Sequence, residues 1–245
     1  MKKFFTLLQV SILLVGMSSM MISCTKKTEL PDTTPINQNN NYALGTVLLL
    51  DKYGTLEKNH SGIKVIMEGN GITREMITGI NGRFEFMEIP AGQYTFTYIK
   101  DGVATSGQTT EVSKYKNIPT IYLGPVADHI LVVDKVAVQN DDIQLYMTSF
   151  PAPASSQHVG YIVFASNSSD VSAGNSPFSM SRRSEFLDIQ TVSLTELRKA
   201  GVDTNATIYL AIYPNTNSVS PSNINGVINF PAINISGKRV VTINR

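Results

Sequence analysis

The residue types that most often carry out chemistry in proteins are scarce in this chain. Its 245 residues include three histidines, one cysteine and no tryptophan. His60, His129 and His158 lie far apart in the sequence, and none has a cysteine or carboxylate at the spacing of a metal site. The glycine patterns of a serine nucleophile turn, a dinucleotide-binding loop or a phosphate loop do not occur either. The sequence therefore predicts a protein that is not an enzyme, with no catalytic residue, metal site or cofactor.

The overall composition is that of a folded protein with balanced charge. Hydrophobic residues make up 42% of the chain, which supports packed cores. Twenty Lys and Arg residues stand against 19 Asp and Glu residues, so the chain has no basic field that would attract a nucleic acid. The single cysteine excludes an intramolecular disulfide.

The first residues have the pattern of an export signal. Lys2 and Lys3 precede an apolar run at 4–15 that is too short to span a bilayer, which needs about 20 residues. The following residues, Met21-Ile22-Ser23-Cys24, resemble the lipobox of bacterial lipoproteins. The resemblance implies removal of residues 1–23 and attachment of a lipid to Cys24. An ordinary signal peptide with a chance cysteine is the alternative.

A polar tether is predicted at 24–41, because this segment is rich in Asn and Thr and poor in apolar residues. Within it, Asp32-Thr33-Thr34 resembles the short O-glycosylation motif of the Bacteroidetes, with Thr33 as the modified residue. Lys26 and Lys27 depart from the acidic residues that surface-exported lipoproteins of that phylum carry after the cysteine. We expect a lipid-anchored protein of the cell envelope, at the outer membrane, and the sequence leaves open whether it faces the periplasm or the surface.

Residues 42–124 read as a succession of short strands. Polar and aromatic residues alternate at 83–86 and again at 93–98, which is the period of strands with one buried face. Asn81-Gly82 predicts a type I′ hairpin turn. The sequence predicts a first β-sandwich over this range.

A family resemblance adds to this interpretation. The stretch that carries it is Gly82, Phe84, Phe86, Ile89, Pro90, Gly92, Tyr94 and Phe96. This pattern resembles the carboxypeptidase regulatory-like domain, a seven-strand sandwich of the transthyretin-like type. The resemblance implies that the four aromatic residues point inward from paired strands and that the domain is an accessory module without chemistry of its own.

Residues 125–245 predict a second sandwich. The apolar run at 161–165 is typical of a central strand, and Ser193-Leu194-Thr195-Glu196 predicts a capped short helix. The order of strands resembles a fibronectin type III or immunoglobulin-like sandwich, with Leu194 and Leu197 leading to Tyr209 as in a tyrosine corner. The predicted fold class is therefore all-β, with a transthyretin-like sandwich followed by a fibronectin III/Ig-like one.

Two loops of this second sandwich, at 150–158 and 215–225, should share one end of it. Loops on a rigid sandwich are a frequent binding surface; the alternative is that they are solvated connections. The candidate binding residues are Ser155, Gln157, Asn215, Asn217 and Asn223.

The function expected from the sequence is a binding or assembly module of an outer-membrane complex, anchored to the membrane by its lipid and holding a protein partner. Two alternatives stay open. One is a carbohydrate-binding lipoprotein of a glycan-uptake system, for which tyrosines rather than tryptophans would supply the aromatic platform. The other is a pilus subunit that donates its C-terminal strand, at 239–245, to a neighbour.

Overall fold

The protein is nearly all β, and its fold class was predicted correctly: it contains two β-sandwiches. The computed structural model describes residues 41–154, 157–184, 187–216 and 218–244. The first half of the chain forms eight strands: β1 (Asn41–Leu49), β2 (Lys64–Gly69), β3 (Ile72–Ile77), β4 (Arg83–Ile89), β5 (Gly92–Ile99), β6 (Ser106–Val112), β7 (Tyr115–Asn117) and β8 (Ile121–Leu123). In one sheet, β1 lies between β4 and the short parallel strands β7 and β8, and the other sheet has the order β3-β2-β5-β6.

The core of the first sandwich is built from the predicted inward aromatic residues. Phe84, Phe86, Tyr94 and Phe96 are all buried. The prediction that they sit on paired strands was wrong, because β4 and β5 belong to opposite sheets. Their rings instead meet across the core, with ring centroids 6.1 Å apart for Phe84 and Phe96. The turn at Pro90 therefore carries the chain from one sheet to the other.

The second half forms the remaining elements: β9 (Ile130–Gln139), β10 (Asp142–Phe150), β11 (Val159–Ser166), β12 (Phe178–Ser184), β13 (Ile189–Ser193), α1 (Leu194–Lys199), β14 (Ile208–Asn215), β15 (Ser222–Ile224), β16 (Val227–Asn229), a 3-10 helix (Ile235–Gly237) and β17 (Arg239–Ile243). The strand orders are β13-β10-β9 in one sheet and β12-β11-β14-β17 in the other. No helix of the described residues is long and apolar enough to cross a membrane.

Strand β11 is central, as predicted, and every one of its eight residues is buried. One face packs on the core between the sheets. The other carries a second apolar cluster, in which the Phe164 ring meets Tyr213 at 5.7 Å and Phe230 at 5.4 Å. Tyr209 packs on this outer cluster, whereas Leu194 and Leu197 lie in the inner core. The predicted tyrosine corner is therefore wrong, because alternation along β14 turns Tyr209 to the opposite face.

Helix α1 begins after Ser193, as predicted, but not through a capping box, because the Ser193 side chain makes no cap hydrogen bond. Asp141, in the turn between β9 and β10, takes that role. Its carbonyl accepts from the Leu194 amide at 2.9 Å, and its carboxylate accepts from the Thr195 hydroxyl at 2.7 Å. The carboxylate also forms an ion pair with Arg198.

Strands β15 and β16 form a hairpin that leaves the second sandwich and joins the first. Their sheet has the order β16-β15-β6-β5-β2-β3. Strand β15 runs parallel to β6, with Asn223 opposite Gln108. Residues 222–229, which the sequence-based division placed within the second domain, thus complete a sheet of the first, and residues 38–245 form one compact unit.

The tight hairpin turns differ from the one predicted. Both central residues have positive φ at Asn70-Gly71, Asn140-Asp141 and Asn225-Gly226, as a type I′ turn requires. Each of these pairs joins two hydrogen-bonded strands. At the predicted site, Asn81-Gly82, only Gly82 has positive φ, and the turn connects strands of different sheets.

Candidate functional site

A groove on the described surface lies where strand β10 loses one of its neighbours. Strand β13 pairs with β10 only as far as Tyr146 opposite Ile189. Beyond that point, the Met147 amide donates to the carbonyls of Leu187 at 3.2 Å and Asp188 at 3.1 Å. Among the described residues, Thr148–Phe150 pair with strand β9 alone. Within the described ranges, which leave out residues 185–186 next to this edge, this end of β10 therefore has an open side along the groove.

The walls of this groove, the β10 groove, are largely apolar. It has a volume of about 600 Å³, and its lining includes the nearly inaccessible side chains of Met147 and Leu187. Ala152 and Pro153 also contribute to its lining. This volume falls in the range of small-ligand and side-chain pockets, roughly 300–1,000 Å³.

Two of the charged side chains around the β10 groove, those of Asp134 and Lys135, are engaged within the chain. A β-bulge at Tyr146/Met147 leaves Asp134 as the extra residue of β9. Its carboxylate accepts from the Thr148 hydroxyl at 3.2 Å. The Lys135 ammonium lies 5.1 Å from the centre of the Tyr146 ring. The groove therefore offers apolar contact and a strand edge, with Ser149 and Asp188 as further polar residues of its lining.

An exposed apolar strip lies on the same three-stranded sheet, formed by Ile130, Val132, Phe150 and Ile189. Phe150 is 71% exposed and stands opposite Ile130 in the β9–β10 ladder. Exposed apolar patches of this kind mark sites of interaction in soluble proteins. The sequence contained a signal for the strip, since 130–133 is a run of four apolar residues, so both faces of that strand are apolar.

The three histidines lie in two different places. His60 is buried in the first sandwich, where its Nδ1 accepts from the Leu49 amide at 3.0 Å. His129 is also buried, with its Nε2 2.9 Å from the Gly160 carbonyl. Burial lowers the pKa of His129, an effect that Gly160 and Asp128 partly offset. His158 lines the same small cavity as His129, between the two sandwiches. No group of three potential metal ligands occurs among the described residues.

The first predicted binding loop leads into β11 and the second leaves β14 at the same end of the second sandwich, because Gly160 pairs with Asn215 at the ends of these strands. This end faces the first sandwich, and Pro151–Pro153 share a cavity with Lys52 and Tyr53.

The candidate residues of these loops that the structure describes lie in different surroundings. Asn215 is buried, Gln157 accepts from the Ala154 amide at 3.0 Å, and Asn223 lies in strand β15. Ser155, Asn217, Cys24 and Thr33 lie outside the described residues. The Asn225-Gly226 dipeptide was the sequence signal that predicts a hairpin, rather than a loop, in this segment.

No model of a known protein family matches the chain, and no curated protein matches it. Among solved structures, the chain is similar to a DUF3823 family protein from Parabacteroides merdae, at 13% identity and a TM-score of 0.30, over 83% of this chain and 98% of that one. It is also similar to a protein from Bacteroides uniformis that is described as a proposed carbohydrate-binding protein. The identity is 14% and the TM-score is 0.29, over 83% of this chain and 98% of that one. A third is the major pilin SpaD of Corynebacterium diphtheriae, at 11% identity and a TM-score of 0.28, over 84% and 65%. TM-scores of this size assign neither a family nor a function to the chain.

Proposed function

We propose that this chain is a lipid-anchored, non-enzymatic binding module of the cell envelope, and that its β10 groove binds an extended segment of a partner protein. The observation that carries the proposal is the open side of β10 at Thr148–Phe150, which runs along an apolar groove. An extended peptide can add to such a strand edge through main-chain hydrogen bonds, while pockets beside it take alternate side chains.

The chemistry of the groove favours a protein partner over a charged small molecule. The rim carboxylate of Asp134 and the ammonium of Lys135 are engaged within the chain. The exposed apolar strip extends the apolar surface next to the groove, with Phe150 at its end. Apolar anchors that become fully covered contribute most of the binding energy in protein interfaces.

Membrane attachment is part of the proposal and rests on the sequence at Cys24. A lipid there, followed by the polar tether at 24–41, would tie the two sandwiches to the outer membrane. The pilus alternative would require strand β17 to be donated, yet β17 pairs with β14 of its own chain from Arg239 to Ile243, and Ile243 is buried. A module that holds a different protein therefore agrees better with the pairing of β17.

In-cell photo-crosslinking tests the proposal. A photoreactive residue at Ala152, on the groove wall, is expected to yield one stoichiometric product with another protein, and the same probe at Ile80 is expected to yield none. Ile80 is a matched position because it is 68% exposed on the first sandwich, away from the groove. Phe150→Ser and Ile189→Ser should reduce the yield several-fold, while Ile80→Ser should not.

Two outcomes would contradict this function. The first is the absence of any product at Ala152, and the second is a product whose yield the Phe150 and Ile189 substitutions leave unchanged. A ladder of products between copies of this chain would instead move the pilus alternative to first place.

A further inference from the structure

A second groove, of different character, lies on the outer face of the first sandwich. It has a volume of about 540 Å³ and lies where strands β7 and β8 are interrupted. The register shifts there, since Leu44 is opposite Asn117 but Val47 is opposite Ile121. Pro119 and Thr120 fall within this interruption, and both line the groove. We call it the Tyr115 groove, after the aromatic residue in its wall.

The Tyr115 ring is held in place and remains accessible. It is 52% exposed. The Tyr42 ring meets it edge to face, with ring centroids 5.2 Å apart, and the Tyr42 amide donates to the Lys114 carbonyl at 2.9 Å. Edge-to-face contacts fix the orientation of aromatic rings. One wall of the groove is thus an oriented aromatic surface in contact with solvent.

The polar side chains that line the Tyr115 groove make no hydrogen bond to the other described residues. Thr46, Arg83, Asn117 and Thr120 all contribute to it. None of these four side chains hydrogen-bonds to another of the described residues. An amide, a guanidinium and two hydroxyls therefore line the same groove as the Tyr115 ring, with their hydrogen-bonding capacity available to a ligand.

The local charge favours a neutral ligand. In the β1–β4 ladder Arg83 stands opposite Thr46, and Glu85 stands opposite Leu44. The two charged residues therefore lie on the same outer face of β4, two residues apart, because side chains alternate along a strand. A phosphate or carboxylate ligand drawn to Arg83 would meet the carboxylate of Glu85 nearby.

We infer that the Tyr115 groove binds a neutral carbohydrate. A sugar ring presents an apolar C–H face that can stack on Tyr115, and its hydroxyl groups can pair with the amide of Asn117 and the guanidinium of Arg83. A ligand that is both uncharged and rich in hydroxyls is what this combination of groups fits. The site is separate from the β10 groove and does not depend on the protein partner proposed for it.

Saturation-transfer difference NMR on the full chain in detergent tests the inference, with a panel of neutral mono- and disaccharides at millimolar concentrations. At least one neutral sugar should receive saturation, most strongly at the protons of its apolar face. Tyr115→Ala should weaken the affinity about tenfold, and Asn117→Ala should also reduce the signal. Tyr122→Ala is the matched control, because Tyr122 is a 37% exposed tyrosine of the same sheet that does not line the groove.

Three results would overturn the inference: no saturation of any neutral sugar, equal saturation with Tyr115→Ala, or a clear preference for a phosphorylated sugar over its neutral parent. Failure here is distinguishable from failure of the proposed protein-binding function. Tyr115→Ala is expected to leave the crosslink at Ala152 unchanged, and Phe150→Ser is expected to leave sugar binding unchanged.

Discussion

The Ser222 hydroxyl forms hydrogen bonds with both backbone groups of Gly107, a residue 115 positions earlier in the chain. It donates to the Gly107 carbonyl at 3.0 Å and accepts from the Gly107 amide at 3.1 Å. Ser222 thus supplies the hydrogen-bond partner for the Gly107 amide and carbonyl at the edge of strand β6, at the point where β15 begins. Gly107 leaves room for this contact, since a Cβ there would lie 2.9 Å from the Ile224 side chain and 3.0 Å from the Phe96 carbonyl.

Ser222→Ala is expected to destabilise the whole described unit. The substitution removes two buried hydrogen bonds and leaves the Gly107 amide and carbonyl without this partner, at a cost of about 1–3 kcal/mol in unfolding free energy. Chemical denaturation measures the change. Ser113→Ala is the control, because Ser113 is exposed, and it should change stability by less than about 0.5 kcal/mol. Equal effects of the two substitutions would mean that the Ser222 hydrogen bonds to Gly107 contribute nothing to stability.

Gly82 and Gly71 provide a matched pair that separates steric clash from backbone strain. Their φ angles are nearly the same, +70° and +72°. A Cβ on Gly82 would lie 1.9 Å from the Val47 carbonyl oxygen, whereas a Cβ on Gly71 would meet nothing within 4 Å. We expect Gly71→Ala to cost about 1–2 kcal/mol from the left-handed backbone alone, and Gly82→Ala to cost more than about 3 kcal/mol. Denaturation curves would contradict this if the two losses were similar.

The positions of the strands along the chain could be predicted from the sequence more accurately than which strands pair with each other. Alternation at 83–86 and 93–98 placed Phe84 and Phe96 in the core correctly, because the side-chain period is a local property of the chain. Whether β4 pairs with β5 or faces it across the core depends on contacts with β1 and β2, which are distant in sequence. The same limit applied to the hairpin at 222–229, since no local pattern indicates that its partner is β6.

The candidate site was harder to predict than the fold. Polar composition predicts binding residues in the two loops, but Asn215 is buried and pairs with Gly160 at the end that faces the first sandwich. The β10 groove forms where strand β13 stops pairing, and a strand's last paired residue cannot be read from residue types alone. The exposed apolar strip could be predicted in part from the sequence, because the four apolar residues at 130–133 indicate a strand with two apolar faces.

We predict that the unfolding free energy depends on pH through the titration of His129. Burial lowers its pKa in the folded protein, whereas the unfolded chain takes up a proton below a pH of about 6.5. The unfolded state therefore binds more protons, and the unfolding free energy should fall as the pH decreases through this value, levelling off below the lowered folded pKa. His129→Gln should remove this part of the slope. The measurement is the difference in unfolding free energy between the two proteins from neutral to mildly acidic pH, and a constant difference would contradict the prediction.

Cys24→Ser tests the predicted anchor. Without the thiol no lipid can be attached, so the protein should leave the membrane fraction and keep the mass of the unprocessed precursor. Ser23→Ala is the control, because it keeps a small residue before Cys24 and should still be processed and anchored. Fractionation and intact mass are measured together. If Cys24→Ser changes neither, residues 21–24 do not act as a lipobox.

Asp141 has both a backbone with positive φ and a carboxylate that contacts helix α1, and two substitutions can separate these contributions. Its backbone has a φ of +66° in the β9–β10 turn, and its carboxylate binds Thr195 and Arg198 at the start of and within helix α1. Asp141→Asn keeps a side chain that tolerates the left-handed conformation and an oxygen that can accept from Thr195, so it should cost under about 1 kcal/mol.

Asp141→Ala loses both the side-chain contacts and the tolerance for positive φ, so we expect it to cost about 2–3 kcal/mol in unfolding free energy. Added salt should narrow the gap between wild type and Asp141→Asn, because the pair with Arg198 is about half exposed and therefore screened. It should leave most of the loss in Asp141→Ala, which does not depend on charge. If Asp141→Asn costs as much as Asp141→Ala at every salt concentration, the oxygen that accepts from Thr195 and the tolerance of positive φ contribute nothing measurable, which would contradict the prediction.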